Sequence, residues 1–570
     1  MKKTVLLISL LASAAQAATY YVSPGGDDAN GGLSWETAKR SIQEALNALI
    51  ADGDEIVVTN GTYTSFSTGP RTVIINSRKK QFRTVYPPSR ITIRSVNGAE
   101  HTIIDGSGRI CVLESQSART NTVLSGFTLT NGYAAVYGGT LNDCVLVGNK
   151  GGAERSVLNN CVLLNNAGRG PGGGALDCIL NNCRIEGNTA TGSGGGVFRC
   201  TLNNCTLVRN TARHGGGAEA STLNNCTLIE NTATECGGGA HNSTLNNCTL
   251  IENTAAEGGG AYRSTLNVCT LSGNKATNGG GTGGGSTLVD CTLIGNAATG
   301  NYGRAYGNTA TGNGGGAYRS SLSNCTLSKN TASDNGGGVA ECGRITNGVL
   351  SGNTAKNNGG GAWNCSLSHC TLIENKATNG GGVYGGHSTL HNCVLWKNTA
   401  TEMGGGVYHN DDRGSFTLIN CTVSGNTAKV GGGSYMAIHY NCIVWENFDS
   451  TGELNNYFPP KVLSKDPHVF SITSVFRYSC SMPLPSGANS RESRIALPQE
   501  WKNIAQDPLF VDAANGDFRL KEGSPCIDAG DNLERGSWGG VGEVDRDGNL
   551  RIHNGTVDMG AYEFGAPPRE

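Results

Sequence analysis

The chain has 570 residues, of which 37% are hydrophobic and 15% are charged, and its formal net charge is −2 at pH 7. A nearly neutral chain with 43 basic residues offers no broad electrostatic attraction for nucleic acid or anionic lipid, so nucleic acid is not an expected partner. Beyond the amino-terminal segment, no stretch approaches the roughly eighteen uninterrupted apolar residues of a membrane helix. We therefore expect no transmembrane segment.

The first seventeen residues have the pattern of a secretory signal peptide. Two lysines, at positions 2 and 3, precede a mostly apolar run over residues 5–12, and Ala15-Gln16-Ala17 forms a small-residue cleavage site. This pattern predicts an exported protein, located outside the cell or on its surface, with the periplasm as an open alternative.

Residues 18–135 are predicted to form an amino-terminal cap and irregular first coils. A short capping helix is expected to begin after Ser34 and to stop at Asp52-Gly53. Its apolar residues recur at helical spacing: Ala38, Ile42, Ala45, Leu46, Leu49 and Ile50. Such a cap would cover the open end of a stack of strands, which otherwise promotes aggregation.

A short phrase then recurs fourteen times over residues 136–447, and it defines the architecture. Ten of the thirteen steps between successive anchor positions are 21 to 23 residues long, and the anchors are Cys144, Cys161, Cys183, Cys205, Cys226, Cys248, Cys269, Cys291, Cys325, Gly348, Cys370, Cys393, Cys421 and Cys442. An asparagine follows each anchor by five residues: Asn149, Asn166, Asn188, Asn210, Asn231, Asn253, Asn274, Asn296, Asn330, Asn353, Asn375, Asn398, Asn426 and Asn447. A fixed period of this size indicates a solenoid of stacked units.

The residue types favour an all-β parallel β-helix solenoid. Thr, Leu, Val and Ile alternate with period two, as in residues 221–228, which suits short strands. Proline is absent from Gly172 to Phe458, as expected for ladders in which every backbone N–H is paired. Glycine runs that follow most repeats would mark a tight corner.

Stacking in register predicts columns of identical side chains. The anchor cysteines would form a column of small buried residues, and the asparagines a structural ladder at a tight corner, where Asn tolerates left-handed backbone angles. Three cysteine pairs spaced five apart remain candidates for disulfides across a corner: Cys178 with Cys183, Cys200 with Cys205, and Cys365 with Cys370.

The period breaks after residue 447. Residues 448–506 are predicted to be irregular, and residues 507–570 to form a carboxy-terminal capping module. Within that module Asp545, Asp547 and Asn549 alternate as in a calcium loop, although an Asx-rich turn explains them as well and is preferred. No other cofactor is expected.

Three segments resemble known families. Thr19 to Tyr63, with Tyr21-Val22-Ser23-Pro24-Gly25 and Asn60-Gly61-Thr62-Tyr63, resembles the start of exported bacterial right-handed parallel β-helix proteins of the pectate-lyase-like class. Repeats such as Leu228-Ile229-Glu230-Asn231 look like those of chlamydial polymorphic outer-membrane proteins. The segment Gly523-Ser524-Pro525-Cys526-Ile527-Asp528 is similar to the "choice-of-anchor" module. These resemblances imply a right-handed β-helix and export.

Large side chains after the glycine runs form a stripe of candidate ligand-binding residues. If the stripe faces outward, it would bind sugars through aromatic rings and acidic sugars through adjacent arginines, and otherwise it would shield the glycine corner. The candidates are Tyr262, Arg263, Tyr318, Arg319, Trp363, Tyr384, Tyr408 and Tyr435. Candidate catalytic residues are His409, Asp411, Asp412 and Arg413, although a solvated turn is the preferred explanation of this cluster.

The leading functional hypothesis is an exported or cell-surface β-helix protein that presents a repetitive surface for adhesion or glycan binding, without catalysis. The alternative is a polysaccharide lyase or glycoside hydrolase that acts on an acidic polysaccharide. A purely structural spacer is a third possibility, because one fold hosts all three roles. The expected partner in the first two cases is a polysaccharide or a host cell-surface glycan.

Overall fold

The structure, a computed structural model, describes residues 17–49, 53–64, 66–67, 71–76, 81–85, 90–108, 113–114, 121–299, 312–386, 388–409, 416–457, 474–482, 502–533 and 540–569. It divides into two compact units, residues 1–206 and 207–570. The signal-like residues 1–16 lie outside the described residues.

The first unit consists of parallel coils preceded by one helix, Ile42–Ala48. Ser41, not Ser34, caps this helix, because its side chain accepts a hydrogen bond from the Glu44 N–H. Most strands stack in parallel sheets: Thr19–Val22, Glu55–Val58, Gly61–Thr64, Phe66–Ser67, Arg90–Ser95, Thr102–Asp105, Leu113–Glu114, Asn121–Ser125, Thr128–Thr130, Val136–Tyr137, Thr140–Asn142, Val145–Val147, Ala153–Glu154, Val157–Asn159, Val162–Leu164, Ala167–Gly168, Ala175–Leu176, Ile179–Asn181, Arg184–Glu186, Thr189–Ala190, Val197–Phe198 and Thr201–Asn203. An antiparallel hairpin joins Arg71–Asn76 and Gln81–Val85.

The second unit has three-residue strands, with the two-residue Cys480–Ser481 at the end, in two sheets, and strands of two to five residues in three further sheets. The first sheet contains Thr222–Asn224, Thr244–Asn246, Thr265–Asn267, Thr287–Val289, Ser321–Ser323, Arg344–Thr346, Ser366–Ser368, Thr389–His391, Thr417–Ile419, Ile438–Tyr440 and Val475–Arg477. The second contains Thr227–Ile229, Thr249–Ile251, Thr270–Ser272, Thr292–Ile294, Thr326–Ser328, Val349–Ser351, Thr371–Ile373, Val394–Trp396, Thr422–Ser424, Ile443–Trp445 and Cys480–Ser481. The boundary between the units falls within the strand Thr206–Val208.

The strands of two to five residues in this unit flank the glycine runs. Those before the glycines are Thr211–His214, Thr232–Cys236, Lys275–Ala276, Ala297–Ala298, Thr331–Ala332, Thr354–Ala355, Lys376–Asn379 and Thr399–Met403. Those after the glycines are Ala218–Glu219, Ala240–His241, Ala261–Tyr262, Thr282–Gly283, Ala317–Tyr318, Val339–Ala340, Ala362–Trp363, Val383–Tyr384, Val407–Tyr408 and Ser434–Tyr435. Their pairing is parallel and in register, for example Leu245 with Leu266 and Leu250 with Leu271, so the predicted all-β parallel β-helix is confirmed.

Hydrogen bonds make the asparagine column a continuous ladder in the interior. The Asn253 amide oxygen accepts from the backbone N–H and the side-chain amide of Asn231, at 2.9 and 3.0 Å. Its amide nitrogen donates to the Leu228 carbonyl and to the Asn274 amide oxygen, at 2.9 and 3.0 Å. Because every polar atom of this side chain has a partner, its complete burial carries no unsatisfied polar group.

The left-handed backbone angle lies one residue before the position that the sequence predicted. Glu230 and Glu252, which precede the ladder residues Asn231 and Asn253, have φ angles of 54° and 53°. The ladder asparagines are therefore selected for their amides, not for a left-handed conformation.

The cysteine column is buried, and the described cysteines are free thiols, including the three pairs considered for disulfides. Each thiol lies against the backbone of a neighbouring coil. For example, the Cys226 N–H donates to the Cys248 sulfur at 3.4 Å. A hydrogen bond with Cys144 and burial raise the pKa of the Cys161 thiol to about 12, so these side chains behave as small uncharged residues.

Each glycine run packs directly on the asparagine ladder. A Cβ atom at Gly238 would approach the Thr254 oxygen to 2.4 Å, and one at Gly239 would lie 3.2 Å from Asn253 Cγ. The coil is therefore too thin at this corner for any side chain.

The carboxy-terminal module covers the last coil, as predicted, and also packs along the outer side of earlier coils. It contains an antiparallel pair, Phe510–Asp512 and Asp517–Leu520, joined by the 3-10 helix Ala513–Asn515. Its core includes Phe518 and Cys526, which pack with Trp445 and Cys480 of the coils. Backbone carbonyls of the module accept hydrogen bonds from coil side chains, such as Asn420 to Val541 at 2.8 Å.

Candidate functional site

The aromatic stripe lies on the outer surface of the second unit, beside the glycine corner. In the two-residue strands that follow the glycines, the first residue is buried and most of the larger second residues are half-exposed. These side chains form a single column in register: Glu219, His241, Tyr262, Gly283, Tyr318, Ala340, Trp363, Tyr384, Tyr408 and Tyr435. The second column that borders the glycines contains His214, Cys236, Glu257 and Asn278.

The rings at one end of the stripe stack on one another. Tyr408 lies 5.0 Å from Tyr384 and 4.9 Å from Tyr435 between ring centroids, with interplanar angles of 32° and 24°. Both faces of the Tyr408 ring therefore contact other rings. This trio presents ring edges and hydroxyl groups outward, and the middle ring has no face left for a sugar.

Two small residues interrupt the stripe, with different consequences. At Gly283 the gap is filled, because the Tyr262 ring lies over the neighbouring Gly284, where a Cβ atom would approach Tyr262 Cζ to 2.3 Å. At Ala340 the small side chain separates Tyr318 from Trp363, which are two rungs apart. Rungs of about 4.8 Å place these two residues roughly 10 Å apart.

Charged groups border the Ala340 gap. Arg319 lies over the Tyr318 ring at 5.0 Å and forms an ion pair with Glu341 at 2.6 Å. The Tyr318 hydroxyl donates to the same carboxylate at 3.2 Å, and burial together with this negative charge raises the pKa of Tyr318 to about 12. The hydroxyl therefore remains protonated over the physiological range.

A cluster of acids and histidines occupies the other end of the glycine corner. His241 and Glu219 are both about 8% exposed, and His241 Nδ1 lies 3.2 Å from Glu219 Oε1. The His214 ring is 5.3 Å from the His241 ring, and His214 Nε2 lies 3.5 Å from Glu235 Oε2. The Tyr262 ring is 5.7 Å from His241.

Burial shifts two titratable groups of this cluster. It raises the pKa of Glu257, although a hydrogen bond from Asn278 at 2.9 Å partly opposes the shift. Burial, with nearby Glu257 and Glu235, raises the pKa of the Cys236 thiol to about 11. Two carboxylates in different surroundings, Glu219 against a histidine and Glu257 with a raised pKa, are an arrangement suited to a base and an acid.

The sequence analysis missed this cluster, although a signal for it exists. In five later coils the residue immediately before the glycine run is asparagine, at positions 278, 313, 335, 358 and 379, whereas the last two coils have Met403 and Val430. In three consecutive earlier coils the same position holds His214, Cys236 and Glu257. The adjacent column changes in the same coils, to Glu219 and His241.

A separate cleft of about 430 Å³ lies on the outer face of the first sheet, beside the carboxy-terminal module. Several of its lining residues carry hydroxyl, imidazole or guanidinium groups, and the lining is Gly343, Arg344, Ser366, Leu367, Ser368, His369, Thr389, His391, Asn392 and Gly542. None of these lining residues is acidic, so the cleft favours an ester, a hydroxyl-rich or an anionic ligand.

Of the four catalytic candidates, only His409 belongs to the described residues. It is 1% exposed, and its Nδ1 atom lies 2.8 Å from the Gly385 carbonyl oxygen. Asp411, Asp412 and Arg413 lie outside the described residues.

The calcium-like loop uses its first carboxylate as a backbone acceptor. Asp545 Oδ1 accepts from the N–H groups of Asp547 and Asn549, at 2.9 and 2.8 Å, and Oδ2 accepts from the Glu563 N–H at 3.0 Å. Both oxygens of the buried Asp545 are therefore engaged, as in an Asx turn. Across the described part of the chain, no group of three His, Cys, Asp or Glu side chains is arranged to hold a metal ion.

Searches for similar proteins find matches only among solved structures. No family model matches the chain, and no curated protein matches it significantly. Among solved structures, pectate lyase Pel9A is 13% identical over 97% of both chains, with a TM-score of 0.17. A mannuronic-acid-specific family 6 lyase from human gut microbiota is 8% identical over 70% of this chain and 86% of that one, with a TM-score of 0.23. Because these TM-scores are below 0.5, the fold assignment depends on the strand pairing of this chain alone. Within the described residues, no helix is long and apolar enough to cross a membrane.

Proposed function

We propose that the protein is an exported β-helix protein that binds a linear polysaccharide or cell-surface glycan along the stripe beside the glycine corner. The observation that carries this proposal is the gap at Ala340, which separates the outward-facing Tyr318 and Trp363. A spacing of roughly 10 Å accommodates one sugar ring between two aromatic side chains. The segment of residues 1–17 supports export.

The groups around the gap suit a hydroxyl-rich ligand. Arg319 supplies planar donors, Glu341 supplies acceptors, and the Tyr318 ring presents a flat apolar surface with a polar edge. These groups are already oriented by their mutual contacts, so little side-chain entropy is lost when a ligand binds.

The test is glycan-array binding followed by calorimetry on any sugar that binds. We expect Trp363→Ala to weaken binding about tenfold, which corresponds to about 1.4 kcal/mol. Ala340→Tyr is the decisive variant, because it adds a ring and fills the gap. If the gap is the subsite, Ala340→Tyr abolishes binding, whereas tighter binding by this variant would show that ring number alone matters.

Cleavage of an acidic polysaccharide is a second candidate function, favoured by the Glu219–His241 pair and the raised pKa of Glu257. His241 would act as a base and Glu257, in its protonated form, as an acid. Release of unsaturated products or reducing ends measures this activity. We expect His241→Gln and Glu257→Gln to abolish this activity. Glu252→Gln, at an exposed residue five positions before Glu257, is the control and should retain it. Equal activity of all three variants would exclude this assignment.

A further inference from the structure

We propose that Ser368 and His369 form a nucleophile and base that hydrolyse a short acyl ester in this cleft beside the carboxy-terminal module. Ser368 Oγ lies 2.9 Å from His369 Nδ1, and both residues line the cleft. Both are partly exposed, so a substrate carbonyl has access to the hydroxyl oxygen. This activity is independent of glycan binding at the stripe.

The Val544 carbonyl favours one tautomer of His369. Its oxygen, which can only accept, lies 3.2 Å from His369 Nε2. Asn392 Nδ2 lies 3.1 Å from Nε2 and donates to the same oxygen at 2.9 Å. With Nε2 protonated toward this oxygen, Nδ1 has the lone pair that accepts the Ser368 hydroxyl proton.

This arrangement meets the geometric requirement for an activated serine. The nucleophile donates to the base, and a third group, the Val544 carbonyl, holds the far side of the ring and stabilises the imidazolium that forms. Burial lowers the pKa of His369, with Arg546 and Arg551 acting in the same direction and the Val544 carbonyl opposing them. The imidazole is therefore neutral, and able to accept a proton, at pH 7.

The reaction proceeds in two balanced steps. Ser368 Oγ bonds to the ester carbonyl carbon while its proton moves to His369 Nδ1, and the C–O bond to the alcohol breaks as that alcohol takes the proton. Water then attacks the acyl-serine and gives a proton to Nδ1. The bond between Ser368 Oγ and the acyl carbon breaks as Nδ1 returns that proton to Oγ, and the carboxylic acid leaves. Arg344, an exposed cation on the cleft wall, is the group placed to attract the developing negative charge.

His369 also docks the carboxy-terminal module, so a simple deletion of the ring would confuse catalysis with stability. Asn392 occupies the equivalent position in the next coil and donates to the same Val544 oxygen. His369→Asn therefore keeps the docking bond and the left-handed turn, where φ is 54°, and removes the base. Ser351→Ala is the matched control, because Ser351 is a partly exposed serine of a neighbouring coil that does not line the cleft.

The experiment uses the full mature chain, p-nitrophenyl acetate as substrate and a fluorophosphonate as covalent probe. We expect the probe to modify Ser368, located by peptide mass spectrometry, and hydrolysis to increase with pH through one group whose pKa lies below 6.5. Ser368→Ala should prevent labelling, His369→Asn should lower turnover about 10²- to 10⁴-fold, and Ser351→Ala should behave as wild type. Absence of labelling, labelling at another serine, or full activity of His369→Asn would overturn the proposal.

Discussion

One position of the repeat has different roles in two regions of the second unit. In the coils of Cys226 and Cys248, the residue before the anchor cysteine is an exposed asparagine, and Asn247 donates to Asn225 of the adjacent coil at 2.9 Å. In the coils between residues 366 and 482, the same position contacts the carboxy-terminal module. There Asn420 bonds to the Val541 carbonyl and Asn441 to that of Asp531.

The comparison shows how a solenoid acquires a second layer without changing its backbone. The left-handed turn is the same in both regions, with φ of 52° at Asn247 and 51° at Asn420. The exposed amide competes with water and contributes little, whereas the buried amide replaces water with a carbonyl of the module. Burial, not the bond itself, decides how much this side chain stabilises the protein.

The largest effect is expected inside the coil, at Asn253. Replacement by Ala leaves the Asn231 N–H and the Leu228 carbonyl without this partner and removes one of the two hydrogen bonds that residue 253 donates to the Asn274 amide oxygen. We expect Asn253→Ala to lower the free energy of unfolding by about 3–5 kcal/mol, the sum of several buried unsatisfied groups. Urea unfolding followed by circular dichroism measures this loss, and a cost below about 1 kcal/mol would show that the ladder does not hold the coils together.

His439 makes the last coils sensitive to acid. It replaces a leucine in an inward column, between Leu418 and Phe476, is fully buried and stacks on Phe476 at 4.4 Å. Burial lowers its pKa to about 3, so the folded state excludes a proton that the unfolded chain binds below pH 6.5. The stability that depends on neutral His439 is present above pH 6.5 and decreases as pH falls toward 3.

The matched variant for this effect is His439→Leu, which restores the aliphatic residue of the column. Between pH 7 and pH 5 we expect wild type to lose about 2 kcal/mol more stability than His439→Leu, from about 1.4 kcal/mol per pH unit below 6.5. Urea unfolding of both proteins at the two pH values measures the difference. Parallel pH dependences would mean that His439 is accessible to solvent.

Removal of the amide at Asn420 tests the docking of the module. Asn420→Ala loses the bond to Val541 and leaves its carbonyl buried, in addition to placing alanine in a left-handed turn. We expect the free energy of unfolding to fall by about 2–3 kcal/mol. Hydrogen exchange should become faster mainly in residues 540–545. Unchanged exchange there, with a uniform loss elsewhere, would contradict a docking role.

The sequence predicted the parts of the fold that repeat and missed the parts that depend on register. The spacing of Cys248 and Asn253 predicts buried columns, because stacking brings equal positions together. The docking of coil side chains onto the carbonyls of Val541 and Val544 could not be predicted from the sequence, because every residue has the same backbone carbonyl. The pairing of Glu219 with His241 was equally hidden, because it requires the register across the glycine corner.

The smallest effect is expected at the exposed counterpart of Asn420, and it separates backbone strain from amide bonding. Asn247→Ala should cost about 1 kcal/mol, because alanine in the left-handed region is strained. Asn247→Gly should change the free energy of unfolding by less than about 0.5 kcal/mol, since glycine tolerates that angle and the lost amide bond is solvent-exposed. If Asn247→Gly costs as much as Asn420→Ala, the exposed ladder contributes as much as the buried contacts, and burial does not distinguish the two regions.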